Sequence, residues 1–256
     1  MKVDGLISRI IFGPVDSRRY GRSLGVNPLP AGVKLCSFNC PYCECGWTDV
    51  PASREARAEL FPTAAEITTA LRTVLEQAAA EKLPIDTITF AGNGEPTLHP
   101  EFPALIDAAL AARNELAPSA GLVALSNSTT LHRPEIVAAL SKLDRQVMKL
   151  DAGTQECFRR IAMPIEPMSL DSIEANIQKL SRVVLQCMFV QGRVDNTGDE
   201  EVAAWLERVK RIQPLSVQIY SLDRKAADYR LEPVPRETLE RIAERVRQAG
   251  LMAEVF

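Results

Sequence analysis

Two hydrophobic periods trade places along this chain of 256 residues. Over 63–82 the apolar residues Ile67, Leu71, Val74 and Leu75 recur at helical spacing, and Thr63 with Glu66 three positions on is a capping-box signature. Asp86-Thr-Ile-Thr-Phe90 then reads as a strand rich in β-branched residues. The exchange continues to the end. Helices are expected at 101–116, 134–143, 155–161, 170–180, 199–212 and 235–248. Strands are expected at 122–125, 146–150, 183–190 and 215–222, with a terminal strand at 251–256. Upstream, Val33-Lys34-Leu35 reads as a short strand, 6–12 as an edge strand and 46–62 as a covering loop. Counted from Val33, six strands are separated by helices, which argues a parallel sheet with helices outside. Right-handed crossovers curl such a sheet, and six units fall short of the eight that close a full barrel. The expected fold is therefore α/β, a partial (βα)6 barrel forming one domain over 1–256, with a short N-terminal extension (1–32) before the barrel core (33–256).

Composition narrows the function. A hydrophobic content of 46% is ample for one large core, and a net charge of −3 provides no global basic field for nucleic acid. No apolar run is long enough to span a bilayer and there is no N-terminal apolar segment, so no membrane partner is expected. The chain has six Cys, and four of them fall between positions 36 and 45. That crowding suits a reduced cytoplasmic protein better than a disulfide framework. His99 and His132 are the only histidines, which argues against His-based metal or triad chemistry.

Cys36-Ser-Phe-Asn-Cys40-Pro-Tyr-Cys43 carries the chemistry. Three soft thiolates on one short loop suit an iron–sulfur cluster or zinc. A closed structural zinc site needs a fourth ligand, which Cys45 would supply, but Cys43 and Cys45 are only two apart, short of the usual zinc spacing. The ends of the strands hold the other candidates, because ligands sit there in parallel sheets. Strand two ends in Gly92-Asn93-Gly94-Glu95-Pro96, whose glycines admit close backbone approach and whose Glu95 offers an acceptor for an ammonium. Strand three ends in Ser126-Asn127-Ser128, equally readable as a ribose or carboxylate contact and as local turn capping. Lys149 and Asp151 share one face of strand four, as a ligand-binding pair or an internal ion pair. Gln186 and Met188 share a face of strand five, and Gln218 is polar in a strand interior where apolar is the default. Cys157 and Cys187 read as packing, and His99 as a helix-entry residue.

The C-x3-C-x2-C triplet with Tyr42 before its last Cys, followed one strand later by Gly94-Glu95-Pro96, resembles the radical S-adenosylmethionine (SAM) superfamily. Phe12-Gly13-Pro14, Ser17-Arg18-Arg19, Gly21-Arg22-Ser23-Leu24-Gly25 and Leu150-Asp151-Ala152 are similar to small Fe–S oxidoreductases distantly related to wyosine-forming tRNA enzymes. The resemblance implies a TIM-like partial barrel with Cys36, Cys40 and Cys43 on a [4Fe–4S] cluster whose open iron chelates SAM. It implies one-electron cleavage of SAM to methionine and a 5'-deoxyadenosyl radical that abstracts hydrogen from a small-molecule or modified-nucleotide substrate. It also implies a one-electron donor of flavodoxin or ferredoxin type. The family's Gly-Gly-Glu-Pro motif carries Asn93 here at its first Gly. The cofactor-binding set is then Tyr42, Gly92, Asn93, Gly94, Glu95, Pro96, Ser126, Asn127, Asp151 and Met188, and the catalytic set Lys149, Asp151 and Gln218. A protein- or peptide-directed activase or maturase is the second reading, and a non-catalytic zinc protein the third.

Overall fold

In the computed structural model, which describes residues 2–3, 5–51 and 58–256, the chain divides into two compact units. The first comprises Met1–Cys36, Thr48–Ser126 and Thr130–Gln146, and the second Ser37–Trp47, Asn127–Thr129 and Val147–Phe256.

Unit one contains β1 (Ile11–Ser17), β2 (Gly21–Val26), α1 (Ala64–Ala80), β3 (Thr87–Phe90), α2 (Phe102–Leu116), β4 (Gly121–Ser126) and α3 (Pro134–Leu140). β1 and β2 pair antiparallel, and β2, β3 and β4 run parallel in that order. The Thr63–Glu66 capping box starts α1, which buries Ile67, Leu71, Leu75 and Ala78 along one stripe. β3 is buried at every position, as a parallel strand covered on both faces must be.

Strand one of the parallel run is not where the hydrophobic pattern puts it. It is β2, within the stretch read as an extension, while 33–35 contributes only to the two-residue strand Leu35–Cys36, paired with Val50–Pro51. Gly-Arg-Ser-Leu-Gly-Val has no apolar period, because its glycine serves a neighbour. A Cβ on Gly25 would lie 2.1 Å from Cζ of Phe12, so the Phe12 ring occupies the space of the missing side chain. The six strand–helix units thus start at β2. The edge strand expected at 6–12 is split: Leu6–Ile7 pairs with Lys2–Val3, and β1 begins at Ile11. The loop expected at 46–62 includes 52–57, outside the described residues. Its described part holds Val50–Pro51 and a single 3-10 turn, Ala58–Leu60.

Unit two takes β5 (Arg145–Lys149) from Val147 onward, then α4 (Gln155–Ile161), α5 (Leu170–Ile177), β6 (Val183–Met188), α6 (Asp199–Ile212), β7 (Ser216–Tyr220), α7 (Arg236–Gln248) and β8 (Ala253–Val255). Their order in the sheet is β5-β6-β7-β8, with β6/β7 and β7/β8 parallel. A small antiparallel pair absent from the hydrophobic pattern, Val190–Gly192 with Leu231–Pro233, closes the base of the loop that follows β7. Trp205 of α6 anchors the core: it is 1% exposed, meets Phe189 edge to face at 5.2 Å, and donates its indole N–H to the Leu150 carbonyl at 3.0 Å. Among the described residues no helix is long and apolar enough to cross a membrane.

Candidate active site

In unit one the 92–96 motif is welded to the residue before Cys36. Leu35 N–H donates to the Asn93 carbonyl at 2.8 Å, and Glu95 N–H returns the bond to the Leu35 carbonyl at 3.1 Å. Gly94 lies between these bonds at φ +133°, and a Cβ there would sit 1.8 Å from the Leu35 oxygen. Gly94→Ala should therefore destabilise the protein by about 3 kcal/mol, read as a lowered urea midpoint. A midpoint equal to wild type would show that the weld is not required.

Glu95 is 2% exposed and its carboxylate is met by hydroxyls and a backbone amide. Oε1 accepts from Thr97 Oγ1 at 2.6 Å, Ser126 Oγ at 2.9 Å and Thr97 N–H at 3.2 Å. Thr97 in turn shares a hydrogen bond with Thr130 at 2.5 Å. The sequence reading missed Thr97 and Thr130, although Thr97 follows the motif directly. Pro96 opens the single 3-10 turn Pro96–Leu98. Gly92 packs on Asn27, whose Oδ1 accepts from Asn93 N–H at 3.1 Å.

Asn93 does something the sequence did not suggest. Its fully buried amide accepts from Ile7 N–H at 2.7 Å and donates to the Ile7 and Pro30 carbonyls at 2.8 and 2.9 Å. That side chain is committed to holding the N-terminal segment. His99 is likewise structural: its Nδ1 accepts from Glu101 N–H at 3.0 Å, so Nε2 carries the proton and donates to the Pro62 carbonyl at 2.8 Å. Burial lowers its pKa below the ordinary 6.5. The unfolded chain therefore takes up a proton first as pH falls. Stability drops below pH ~6.5 by at most about 1.4 kcal/mol per unit, until the folded imidazole protonates too. Denaturation midpoints between pH 7 and 5 should show this slope in wild type and a flatter one in His99→Gln.

In unit two the cysteine loop, Ser37–Trp47, has no regular structure but is tied down closely. Ile165 N–H binds the Ser37 carbonyl at 3.0 Å, and Asn39 N–H reaches the carbonyls of Ala162 and Met163, each at 3.1 Å. Phe38 is buried edge-on to Phe158 at 5.6 Å. A turn closes from Cys43 N–H to the Cys40 carbonyl at 3.1 Å. All six cysteines are in the thiol form, with Cys36 buried and Cys40, Cys43 and Cys45 partly exposed. Among the described residues no three His, Cys, Asp or Glu side chains are drawn together on the scale of a single metal ion. Asn127 braces the loop, donating to Ser37 Oγ at 2.9 Å and accepting from Thr129 N–H at 3.1 Å. Beside it Ser128 holds a left-handed φ of +71°.

Tyr42, Lys149 and Asp151 meet. Tyr42 donates to Asp151 Oδ2 at 2.5 Å, Lys149 Nζ lies 3.0 Å from Asp151 Oδ1, and Met188 N–H binds that same oxygen at 2.7 Å. Lys149 also donates to the Tyr220 hydroxyl at 2.6 Å and lies over the rings of Tyr42 and Tyr220 at 5.2 and 4.8 Å. Tyr220 donates to Gln186 at 3.4 Å, and Gln186 to Gln218 at 3.2 Å, a paired position across β6 and β7. Gln218 thus joins the group through Gln186. Tyr220 is not in the expected site set, yet it shares the β7 face of Gln218 by alternation. Burial and the Asp151 carboxylate push the Tyr42 pKa well up. Burial opposes charge on Lys149, but Asp151 and Tyr220 outweigh it and raise its pKa, so it stays an ammonium. Asp151→Asn would strand that largely buried cation and should cost about 2–3 kcal/mol in chemical denaturation. A change within 0.5 kcal/mol, the scatter of a neutral surface substitution, would show the pair to be dispensable. Cys157 and Cys187 are buried and burial raises their pKa, which makes both poor nucleophiles.

The donor set fits a thiolate-held cluster: soft ligands, reduced, on a loop whose backbone is already fixed. Residues 33–184 match the family model "Radical SAM superfamily". The chain is 32% identical over 210 residues to a UPF0026 protein of Synechocystis, covering 82% of this chain and 74% of that protein. Among solved structures it resembles TYW1 with a lysine-pyruvate adduct bound (TM-score 0.61, 16% identity, 89% of this chain and 73% of that one). It also resembles a radical SAM methyltransferase from Sphaerobacter thermophilus (TM-score 0.65, 16% identity, 91% and 65%). The chain belongs to the radical SAM superfamily. It is an enzyme of radical chemistry that uses a [4Fe–4S] cluster and SAM, on the TIM-like partial barrel its structural neighbours share.

Proposed function

We propose that Cys36, Cys40 and Cys43 hold the cluster, that Glu95 receives the methionyl ammonium of SAM, and that the substrate is a small molecule or a nucleotide-type group. The chemistry those cofactors supply when bound is one-electron cleavage of SAM and abstraction of a hydrogen atom from the substrate. The chain's own residues bind and orient. Glu95 is suited to an ammonium because its carboxylate is an acceptor held in place by the Thr97 and Ser126 hydroxyls. Asp151 and Tyr42 fix the loop beside Cys43, and Lys149, neutralised by Asp151, holds both tyrosines in place.

The observation that carries the substrate reading is the polar row formed by the buried Gln186 and Gln218 with the partly buried Tyr220 and Lys149. Four linked donors and acceptors on neighbouring strands suit a compact polar ligand better than an extended apolar peptide segment. The test is an anaerobic screen with SAM and dithionite in which deuterated nucleosides, metabolites and peptides compete. Deuterium passing into 5'-deoxyadenosine from a small polar compound would support the reading. Transfer from a peptide alone would replace it with the activase or maturase alternative, and a colourless zinc protein would end both.

A further inference from the structure

The loop that follows β7, residues 221–230, is fixed at its base and touches the cysteine loop at its middle. Ser221 Oγ donates to the Phe189 carbonyl at 2.7 Å and accepts from Val234 N–H at 2.8 Å, and the Val190–Gly192 pair with Leu231–Pro233 closes the base. Between these points Asp228 N–H donates to the Pro41 carbonyl at 2.9 Å. Pro41 lies between Cys40 and Cys43, so this bond lands inside the thiol triplet. The Asp228 carboxylate, 2% exposed, makes the bond possible by folding its own turn. Oδ1 accepts from Arg230 N–H at 3.0 Å and Arg230 Nε at 2.9 Å. Oδ2 accepts from Arg230 Nη2 at 2.9 Å and Arg193 Nε at 2.6 Å. A second tie joins Arg224 to Glu44, the residue after Cys43, at 2.9 Å. Both of its partners are exposed, so salt weakens it.

The ties described earlier for Ser37, Phe38 and Asn39 all precede Cys40. Past Cys40, residues 221–230 supply two ties and Asp151 a third, through Tyr42. We propose that residues 221–230 are a strap on the cysteine loop, and that Asp228 foremost and Arg224 second are positioning residues that govern how long a bound cluster survives. The proposal rests on the reading that Cys36, Cys40 and Cys43 are the ligands. The strap holds the peptide carrying Cys40 and Cys43 in one orientation, so a thiolate that lets go of iron recaptures it before solvent does.

The experiment compares reconstituted wild type with Asp228→Ala, Asp228→Asn, Arg230→Ala and Arg224→Ala. It follows iron release to a ferrous chelator, the electron paramagnetic resonance spectrum of the reduced cluster and the unfolding midpoint of the apoprotein. Asp228→Ala should load fully without oxygen, then release iron roughly fivefold faster, the factor expected for one lost hydrogen-bonded tie. Asp228→Asn keeps the bond to Arg230 N–H and should fall between, and Arg224→Ala should change the rate less than about twofold. Arg230 is exposed, so Arg230→Ala tests the clasp should Asp228→Ala fail to fold, and it should release iron roughly threefold faster. A wild-type rate in loaded Asp228→Ala, or in Arg230→Ala if the former does not fold, overturns the strap. So does a rate that rises only in step with a lowered apoprotein midpoint. Cys40→Ala separates the two claims: iron bound normally there sinks the ligand assignment, whereas no iron there with an unchanged Asp228→Ala rate sinks only the strap.

Discussion

Alanine at any one of Cys36, Cys40 or Cys43 is expected to leave the anaerobically reconstituted protein without its brown colour, and to cut 5'-deoxyadenosine formation to roughly a thousandth of wild type or less. On the proposed assignment each of the three thiolates would hold one iron, so none of the set would be redundant. Cys45 makes the control. It is partly exposed, lies past the turn from Cys40 to Cys43, and follows Glu44. Cys45→Ala should keep wild-type iron and sulfide content. If Cys45→Ala loses the cluster while Cys36→Ala keeps it, the assignment must shift along the loop. Sulfide analysis distinguishes this from a zinc site, which holds no labile sulfide.

Glu95→Gln is expected to bind the cluster normally and SAM roughly 10- to 100-fold more weakly, which is 1.4 to 2.8 kcal/mol. The substitution keeps the shape, and its amide oxygen still accepts from Thr97 and Ser126. What it removes is the negative charge proposed to receive the ammonium. Equilibrium dialysis of the reconstituted, unreduced protein reads the affinity without turnover, and iron analysis of the same sample reads the cluster. Equal SAM affinity would place the ammonium elsewhere. Glu95→Ala is the harsher variant: it also strips the acceptor from two buried hydroxyls, so part of its effect should appear as lost stability, about 1–3 kcal/mol.

The helices and the later strands were legible because their signals are local. The Thr63–Glu66 box, the stripe of Ile67, Leu71 and Leu75, and the β-branched run ending at Phe90 each need only a few neighbours to be read. β2 was not legible. Gly21-Arg-Ser-Leu-Gly-Val is a strand because β1 and β3 flank it and Phe12 covers Gly25, facts that no window of the sequence contains. The site divides in the same way. The thiol triplet and the Glu95 motif are contiguous and were read directly, and Lys149 with Asp151 followed from strand alternation. The bond from Tyr42 to Asp151 spans 109 positions and that from Lys149 to Tyr220 spans 71, so neither had a sequence signal. The Asn93 side chain holds Ile7 and Pro30, partners 86 and 63 positions away that no window of the sequence contains. The tie from Asp228 N–H to the Pro41 carbonyl spans most of the chain, so it too had no local signal.

The reciprocal bonds between Leu35 and the 93–95 backbone have a consequence for redesign. The first thiol and the buried carboxylate ride on one rigid piece of main chain, so their separation does not depend on any side chain that a library would vary. On the proposed substrate reading, residues of β6 and β7 are the ones to exchange while that span stays as it is, which makes Gln186 and Gln218 the first positions to randomise.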